Sequence, residues 1–394
     1  MTETSRRTWF AIIVLCIASF TMVTSEFAPI GLLSQISSDL GRDPGAVGLT
    51  VTLYAWIGAG SGLSSGWINK RVRPKTLLVT LLIILAASNF LAAFCNELST
   101  LIVSRAVGAV AHGIFWAMVA ATAAKIAPSH QVGLATSIVM GGITIATVIG
   151  VPVANLIGQY FGWRMAFIVL SLVAVLSAVL AWASLPQVTM KTEKGRGLLT
   201  VFLERRDLRF VYGITALTTA AHFSAYAFIE PFIADIPEII PPTIAFLLLF
   251  FGVMGFLGNI LSAVFVDRYL HLMGLAALFS LALSLLGLGV AGPSGAFFLI
   301  VAFLLLWGMA ISTLFTALQT WVLRISGDQV VPATAIHTAV LNVAIGLGVV
   351  CNGLVLEFTG INGAMLTGSL LVIPAIILMT ISFARTTSNS PHEI

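Results

Sequence analysis

The stretch QVTMKTEKGRGLLTVFLERRD, residues 187–207, is the longest polar connection in a chain that is otherwise strongly apolar. Of the 394 residues, 59% are hydrophobic and only 9% are charged, and the mean hydropathy is +1.06. This composition is typical of an integral membrane protein. Because one bilayer-spanning helix needs about 20 apolar residues, the chain has room for roughly a dozen spans and none for a soluble domain. The polar stretch therefore predicts a linker between two membrane-embedded halves.

Apolar runs bounded by charged residues or by Pro/Gly clusters lie on both sides of this linker, six before it and six after it. Their approximate bounds are 9–35, 45–68, 76–95, 98–126, 131–160, 163–185, 209–233, 243–266, 272–291, 296–324, 331–357 and 362–384. We therefore predict an all-α membrane protein with twelve transmembrane helices. The predicted domains are a six-helix bundle at 1–186, a cytoplasmic linker at 187–208 and a second six-helix bundle at 209–394.

Lysine and arginine are distributed unevenly over the predicted connections. Sixteen of the 19 lie on the side of the termini, only Arg42 and Arg164 lie on the other side, and Arg105 lies within a helix. Since cytoplasmic loops carry the excess of basic residues, both termini are predicted to be cytoplasmic. The first apolar run follows Arg6 and Arg7, and its length predicts a retained helix instead of a cleaved signal peptide. The net charge of +4 then reflects membrane topology and gives no indication of nucleic-acid binding.

Pairs of weakly similar segments recur at a nearly constant spacing. KIAP at Lys125–Pro128 precedes RISG at Arg324–Gly327 by 199 residues, and NLIGQYFG at Asn155–Gly162 precedes GLVLEFTG at Gly353–Gly360 by 198. Such offsets indicate a duplicated six-helix unit. Parallel repeats that face a site near the bilayer midplane are an architecture of transporters.

Two ionisable residues of the first half are predicted to share one depth in the membrane. A charge at mid-bilayer costs at least about 2.5–3.5 kcal/mol and therefore faces protein or water. Glu26 in the first helix and Arg105 in the fourth are close enough in depth for an ion pair. Either the pair is linked to proton uptake, or it is purely structural. His112 shares the face of Arg105, with Trp116 beside it, and either lines a pocket or donates to a backbone carbonyl.

The segment HFSAYAFIEPF, His222–Phe232, places His222, Tyr226 and Glu230 at spacings of four. A polar seam of this kind is expected to face a cavity and not lipid, and Glu230 is a further candidate for proton coupling. Because Glu230 lies near the outer boundary of the membrane, an interfacial position is the alternative. Weaker candidates, for which an interhelical hydrogen bond is the alternative role, are Tyr54, Asn89, Trp307, Gln319, His337 and Asn342.

Four segments carry a resemblance to the major facilitator superfamily: TSEFAPIGLLSQIS, RAVGAVAHGIFWA, GQYFGWRMAF and AHFSAYAFIEPF. The chain is similar over essentially its whole length to the twelve-helix drug and sugar proton antiporters of that superfamily. Within them it resembles bacterial sugar efflux transporters that export arabinose and isopropyl-thiogalactoside. The resemblance implies a monomer whose two bundles rock about a central cavity, with protons from the periplasm driving export.

The resemblance also implies roles for individual residues. Arg105 matches the fourth-helix arginine that the family uses in proton relay, and Glu26 matches the acidic residue of helix one. On helix five, Gly150, Pro152 and Gly158 match an antiporter motif, with Asn155 where a glycine is usual. Gly141 and Gly142 extend this glycine pattern, which predicts close approach between helices.

The predicted gating residues are Arg71, Arg73, Asp267 and Arg268. After helix two, GWINKRVRPK keeps the basic cluster of the family but has Asn69 and Lys70 where an aspartate is expected. After helix eight, Asp267 and Arg268 retain an acid and a base, which are expected to lock one conformation of the transporter.

We predict proton-driven export of a small sugar or glycoside across the inner membrane, with substrate held by stacking on aromatic rings and by hydrogen bonds to its hydroxyls. Export of drug-like amphiphiles and proton-coupled uptake are the alternatives. The sequence has no HExxH or Cys/His metal pattern, so we predict no enzyme, metal or cofactor. The three cysteines, at 16, 95 and 351, are predicted to be buried thiols. The expected partners are the substrate, protons and the lipid bilayer.

Overall fold

The computed structural model describes residues 3–68, 72–188 and 198–389. Within these ranges every regular element is a helix and no strand occurs, which confirms the all-α prediction. The α-helices are α1 Glu3–Gly31, α2 Leu33–Leu40, α3 Pro44–Ile68, α4 Pro74–Ala93, α5 Leu98–Ile126, α6 Val132–Ile145, α7 Val151–Phe161, α8 Trp163–Ser184, α9 Leu198–Glu204, α10 Arg206–Tyr226, α11 Ile229–Ala234, α12 Pro241–Ala291, α13 Phe297–Ser326 and α14 Val330–Asn389.

Eight helical stretches in the described part of the chain are long and apolar enough to cross a bilayer, so the chain is a multi-pass membrane protein. Two of them, Pro241–Ala291 and Phe297–Ala384, contain 51 and 88 residues, far more than the about 20 that one crossing requires. Both contain non-helical backbone: Tyr269 has φ −125° and ψ 31°, and Gly360 has φ 65°. The twelve crossings and the cytoplasmic termini stay predictions.

The predicted span at 209–233 is divided in two. α10 ends at Tyr226 and α11 begins at Ile229, two residues before Pro231. Proline lacks an amide hydrogen and its ring clashes with the carbonyl four residues earlier, so it is tolerated in the first turn of a helix but not further along. The break leaves His222 and Tyr226 on α10 and places Glu230 on a separate short helix, so the predicted single stripe is interrupted.

The chain forms two compact units, Met1–Lys194 and Gly195–Ile394. In the first unit, α1 packs closely against the helix-five segments. A Cβ atom on Gly142 would lie 2.9 Å from Cβ of Ser19, and one on Gly31 would lie 2.8 Å from the carbonyl oxygen of Val151. Close approach therefore requires glycine on both sides of this contact. Gly141, by contrast, faces open space.

In the second unit, α10 packs along α14 while α12 packs against α13. Arg205, between α9 and α10, donates hydrogen bonds to the main-chain oxygens of Ile325 and Ser326 at the end of α13. A cation is favoured at this end of a helix because the carbonyl dipoles point toward it. Arg205 also donates to Asp207 at 2.7 Å, and this hydrogen bond holds the pKa of the Asp207 carboxyl below its ordinary value.

Candidate functional site

Five predicted residues of the first unit meet in one cluster. It consists of Glu26 on α1, Tyr54 on α3, and Arg105, His112 and Trp116 on α5; we call it the first-unit cluster. Glu26, Tyr54, Arg105 and His112 are 5%, 1%, 1% and 4% exposed, and Trp116 is half-buried. Arg105 and His112 lie two helical turns apart on the same face of α5, which brings both toward α1.

Arg105 binds the main chain of α1. Its Nη2 donates to the backbone oxygen of Glu26 at 3.0 Å. The guanidinium carbon lies 4.4 Å from the centre of the Tyr54 ring and 5.7 Å from that of Phe167. The side chains of Arg105 and Glu26 are both described, and no ion pair within 4 Å joins the guanidinium to the carboxylate. The expected direct pair is therefore not formed. We attribute this to the two rings, which fix the guanidinium so that Nη2 points at the backbone.

The Glu26 carboxylate contacts His112 instead. Its Oε2 lies 3.4 Å from His112 Nε2, and the same nitrogen accepts the Trp116 indole N–H at 2.9 Å. An indole can only donate, so Nε2 is an acceptor whenever that bond is made. A carboxylate oxygen and an acceptor nitrogen repel each other at this distance, and protonation of the carboxyl group removes most of that repulsion. The arrangement therefore suits a carboxyl group that gains and loses one proton.

Several polar atoms in this region have no hydrogen-bond partner among the described residues. They are the Tyr54 hydroxyl, Nε and Nη1 of Arg105, Nδ1 of His112 and Oδ1 of Asn89 on α4. Roughly 90% of buried polar groups in proteins are paired, so this concentration is unusual. It gives the first-unit cluster unused capacity to bind water or a polar solute. The Asn89 amide donates to Ser25 at 2.7 Å and joins α4 to α1.

The second unit holds a cluster of rings around two predicted residues. His222 stacks on Tyr226 with centroids 4.9 Å apart, and Tyr226 stacks on Phe251 at 5.3 Å. Trp307 donates from Nε1 to His222 Nδ1 at 3.0 Å, and Phe315 lies edge-on to His222 at 5.8 Å. We call these five residues the second-unit cluster. Tyr226 is stacked on two rings, so its edge and hydroxyl are the parts of the side chain left for other contacts.

Four other predicted residues of the second unit lie outside that cluster. Gln319 Oε1 is 2.9 Å from His337 Nδ1, and His337 Nε2 is 3.1 Å from the Thr215 hydroxyl, so both form interhelical hydrogen bonds. The Asn342 amide donates to its own helix one turn earlier, at 3.0 Å. Glu230 is 1% exposed and is therefore buried inside the protein.

The first part of the antiporter-motif segment packs beside Glu26. A π-helical turn at Ala146–Gly150 leads into α7, where Pro152 occupies the first turn. A Cβ atom on Gly150 would lie 2.9 Å from Cγ2 of Thr24, two residues before Glu26. Wide turns of this type frequently occur at functional sites because they alter the helix register.

The second part of the same segment holds the end of α1. The Asn155 amide, at the position where the family has glycine, donates to the backbone oxygen of Gly31 at 2.6 Å. That oxygen belongs to the last residue of α1, where helical carbonyls lack a partner within the helix. A Cβ atom on Gly158 would lie 2.5 Å from the Gln35 side-chain oxygen, so this glycine is also required by packing.

Asp267 of the predicted gating pair binds a residue other than Arg268. Asp267 forms an ion pair with Arg324 of α13, and Arg324 also donates to the backbone oxygen of Val266 at 3.3 Å. Arg268 lies over the ring of Tyr269 at 5.3 Å. Neighbouring residues on a helix point in different directions, so Asp267 is satisfied from the adjacent helix and not by Arg268.

The other two predicted gating residues belong to the first unit. Arg71 lies outside the described residues. Arg73 is exposed and directly precedes α4, whose first residue is Pro74. Its exposed position is compatible with a surface charge.

One cavity among the described residues lies apart from both clusters. A cavity of about 370 Å³ in the second unit lies between 236–243 and 294–297, away from the predicted site residues. Among the described residues no group of three or more His, Cys, Asp or Glu side chains is placed to hold a metal ion. Cys95 is buried as predicted, but Cys16 is half-buried and Cys351 is exposed on an apolar helix, where lipid can replace protein contacts.

Sequence reasoning gave too little weight to the aromatic partners. Trp307 was only a weaker candidate, although it supplies the hydrogen bond that orients His222. Phe167 and Phe251 were not singled out, because a phenylalanine in an apolar helix gives no signal of its own. Arg324 could have been singled out from the sequence, because it is a basic residue in the last turn of α13.

A multi-pass helical protein that buries ionisable and polar side chains in each of two helical units has the construction of a membrane transporter. Residues 15–327 match the family model of the Major Facilitator Superfamily, and the chain belongs to that superfamily. It is therefore a transporter of small molecules and not an enzyme.

Known relatives agree with this placement. A protein of Mannheimia succiniciproducens named "Probable sugar efflux transporter" is 34% identical over 394 residues, which cover 99% of this chain and 98% of the relative. The crystal structure of a mutant of the nucleoside transporter NupG matches with a TM-score of 0.79 at 14% identity, covering 95% of this chain and 99% of that one. A bacterial homologue of the human lysosomal transporter Spinster matches with a TM-score of 0.75 at 13% identity, covering 98% of each chain. These two structures indicate the fold alone.

Proposed function

We propose that this transporter exports small sugars or glycosides across the bacterial inner membrane in exchange for protons. The observation that carries the proposal is the contact between the Glu26 carboxylate and an acceptor nitrogen of His112 at 3.4 Å. The name of the Mannheimia relative supports sugars as the substrate class and export as the direction.

Glu26 is the proposed proton-coupling residue. In the proposed cycle a periplasmic proton binds Glu26, and neutralising the carboxylate relieves its repulsion with His112 Nε2, whose lone pair is taken by the Trp116 indole. Neutralising the carboxylate removes its attraction for Arg105, substrate leaves to the periplasm, and the site turns inward, where the proton is released. Arg105 keeps a positive charge near Glu26 and thereby favours release of the proton. Glu230, buried in the second unit, is the other candidate for proton coupling.

Sugar hydroxyls would be held by the polar edges of the clusters. In the first-unit cluster these are the Tyr54 hydroxyl and Nδ1 of His112, with the ring of Trp116 beside them; in the second they come from His222 and Tyr226. Gln319 and Asn342 remain candidates for substrate contact, although each already makes an intramolecular hydrogen bond.

The wider architecture is part of the proposal. Twelve crossings with cytoplasmic termini agree with the non-helical backbone at Tyr269 and Gly360, which divides the longest helices. The ion pair between Asp267 and Arg324 supports a cytoplasmic lock in the second unit. We propose that the chain acts as a monomer by alternating access.

Export of drug-like amphiphiles is the second candidate, because four of the five rings in the second-unit cluster carry no hydroxyl group. Such a surface suits an apolar group as well as the apolar face of a glycoside. A substrate with both characters, such as isopropyl-thiogalactoside, is a suitable first probe.

The test uses purified protein in liposomes that contain a pH-sensitive dye. Isopropyl-thiogalactoside and then arabinose are applied as gradients, and proton movement is recorded. Proton flux opposite to sugar flux supports the proposal, and flux in the same direction would instead establish symport. If neither sugar evokes a response but a cationic amphiphile moves protons in the same vesicles, the protein is a drug exporter instead.

A further inference from the structure

The hydrogen bond between Trp307 and His222 determines where the imidazole carries its proton. Trp307 Nε1 lies 3.0 Å from His222 Nδ1, and both residues are buried. An indole nitrogen has a hydrogen to donate and no lone pair to accept one. Nδ1 is therefore unprotonated, and the neutral ring carries its hydrogen on Nε2.

The opposite nitrogen of the same ring is free to act on a ligand. His222 Nε2 makes no hydrogen bond to a described residue. It is also not among the unpaired polar atoms that are fully enclosed, so it is accessible. In the first unit the geometry is reversed: Trp116 donates to Nε2 of His112, and the enclosed Nδ1 is the unpaired atom. Each unit thus contains a tryptophan-bound histidine, but only His222 presents an accessible N–H.

The ring also has a fixed orientation. It stacks on Tyr226 with an interplanar angle of 22° and lies edge-on to Trp307 at 78° and to Phe315 at 86°. A donor held on three sides by other rings loses little conformational freedom when it binds, which favours both affinity and selectivity. Aromatic edges around such a donor suit a compound that has hydroxyl oxygens beside C–H groups.

We propose that His222 donates a hydrogen bond from Nε2 to a sugar hydroxyl, and that Trp307 is the positioning residue that fixes this tautomer and ring orientation. The proposal rests on the proposed function, because it takes a sugar as the substrate. It adds a definite donor atom to the second-unit cluster and gives Trp307 a role that does not require contact with substrate. It also predicts that acceptor oxygens are preferred at this position over N–H donors.

Transport kinetics of isopropyl-thiogalactoside in proteoliposomes test the donor. Glutamine places an amide N–H near the position of Nε2, whereas asparagine places one near Nδ1. His222→Gln should therefore keep KM close to that of the wild type. His222→Asn should raise KM about tenfold, which corresponds to the loss of one hydrogen bond. Equal KM values in the two variants would overturn the proposal.

Trp307→Phe keeps the ring and removes only the N–H. It should raise KM about threefold to tenfold, because the donor loses its fixed orientation. The maximal rate should stay nearly unchanged, because the transport cycle does not depend on this hydrogen bond. Trp321→Phe is the matched control: Trp321 lies on the same helix, edge-on to His271 at 4.8 Å, outside both clusters. A Trp307→Phe variant with the KM of the wild type would contradict the positioning role.

Nitrogen NMR of protein labelled with ¹⁵N-histidine separates failure of this proposal from failure of the proposed function. Without any sugar, His222 should show an unprotonated, hydrogen-bonded Nδ1, and Trp307→Phe should shift that resonance toward a free imine nitrogen while Trp321→Phe does not. A protonated Nδ1 in the wild type would overturn the tautomer assignment even if sugars are exported. Addition of isopropyl-thiogalactoside should shift the Nε2 resonance, and an unchanged resonance in a protein that transports this sugar would exclude His222 as the donor.

Discussion

The Glu26 carboxylate lies 3.4 Å from Nε2 of His112, a nitrogen whose lone pair already accepts an indole hydrogen. Two acceptors at this distance repel each other while the carboxyl group is ionised, and protonation of Glu26 relieves that repulsion. Arg105, which the depth argument placed against the same carboxylate, is bound to the backbone of Glu26 instead. In the proposed cycle Glu26 is therefore the proton acceptor, and the nearby positive charge of Arg105 favours release of the proton.

Arg105→Lys is expected to lower sugar export at least tenfold. The guanidinium is held between Tyr54 and Phe167 and donates to the backbone of Glu26. Lysine keeps the charge but cannot make the planar contacts, and the loss of desolvated cation–π contacts and one charged hydrogen bond is worth about 2–4 kcal/mol. Export rates in proteoliposomes measure this effect. Arg42→Lys, at an exposed site, is the control, and equal loss in both variants would contradict the assignment.

Replacement of Gly150 by alanine is expected to impair both stability and export. The added methyl group would lie 2.9 Å from Cγ2 of Thr24, and overpacking of this kind costs about 1–3 kcal/mol. Gly141→Ala makes the same change where nothing lies within 4 Å of the new atom, so it should be neutral. Melting temperature in detergent and export rate report the difference. If Gly141→Ala is the more damaging change, the packing account of helix five is wrong.

The ion pair between Asp267 and Arg324 should matter more for transport than for stability. The carboxylate is 86% exposed, so breaking the pair is expected to change the free energy of unfolding by less than about 1 kcal/mol. Asp267→Asn and Arg324→Gln should each slow export. Exchange of the two charges, Asp267→Arg with Arg324→Asp, should restore part of the rate. A swapped protein no better than either single variant would argue against a charge lock.

Asp207 offers a pH-dependent contribution outside the membrane. Its hydrogen bond from Arg205 keeps the folded-state pKa below the unfolded value, which is about 3.9 for an aspartate. The stabilisation is therefore present above that value and is lost as pH falls through the folded pKa. Because the side chain is 47% exposed, the effect should be under about 0.5 kcal/mol. The melting difference between wild type and Asp207→Asn should shrink from pH 6 toward pH 3; a growing difference would reverse the assigned sign.

Depth along a helix could be read from the sequence, but contact partners could not. Counting residues placed Glu26 and Arg105 at one level, and the two do lie close together. Which atom the arginine binds depends on helix rotation and on two rings, one of them Phe167, that carry no sequence signal. Asp267 shows the same limit, since its partner Arg324 comes from a helix that is distant in sequence.

The second-unit cluster illustrates a further limit of periodicity. Spacings of four placed His222, Tyr226 and Glu230 on one stripe, and a continuous helix would have kept them there. The break before α11 separates Glu230, because proline in the following turn cannot belong to a continuous helix. The donor that orients His222 comes from Trp307, and long-range pairing of this kind depends on tertiary packing.

The most direct test of the account compares net and exchange transport in Glu26→Gln. Glutamine keeps the size of the side chain but cannot take up and release a proton. We expect the variant to catalyse exchange of labelled for unlabelled isopropyl-thiogalactoside across the liposome membrane, with no sugar-evoked proton movement. Glu97→Gln, at an exposed position before α5, should retain both activities. A Glu26→Gln protein that moves protons against sugar at the rate of the wild type would contradict the central claim.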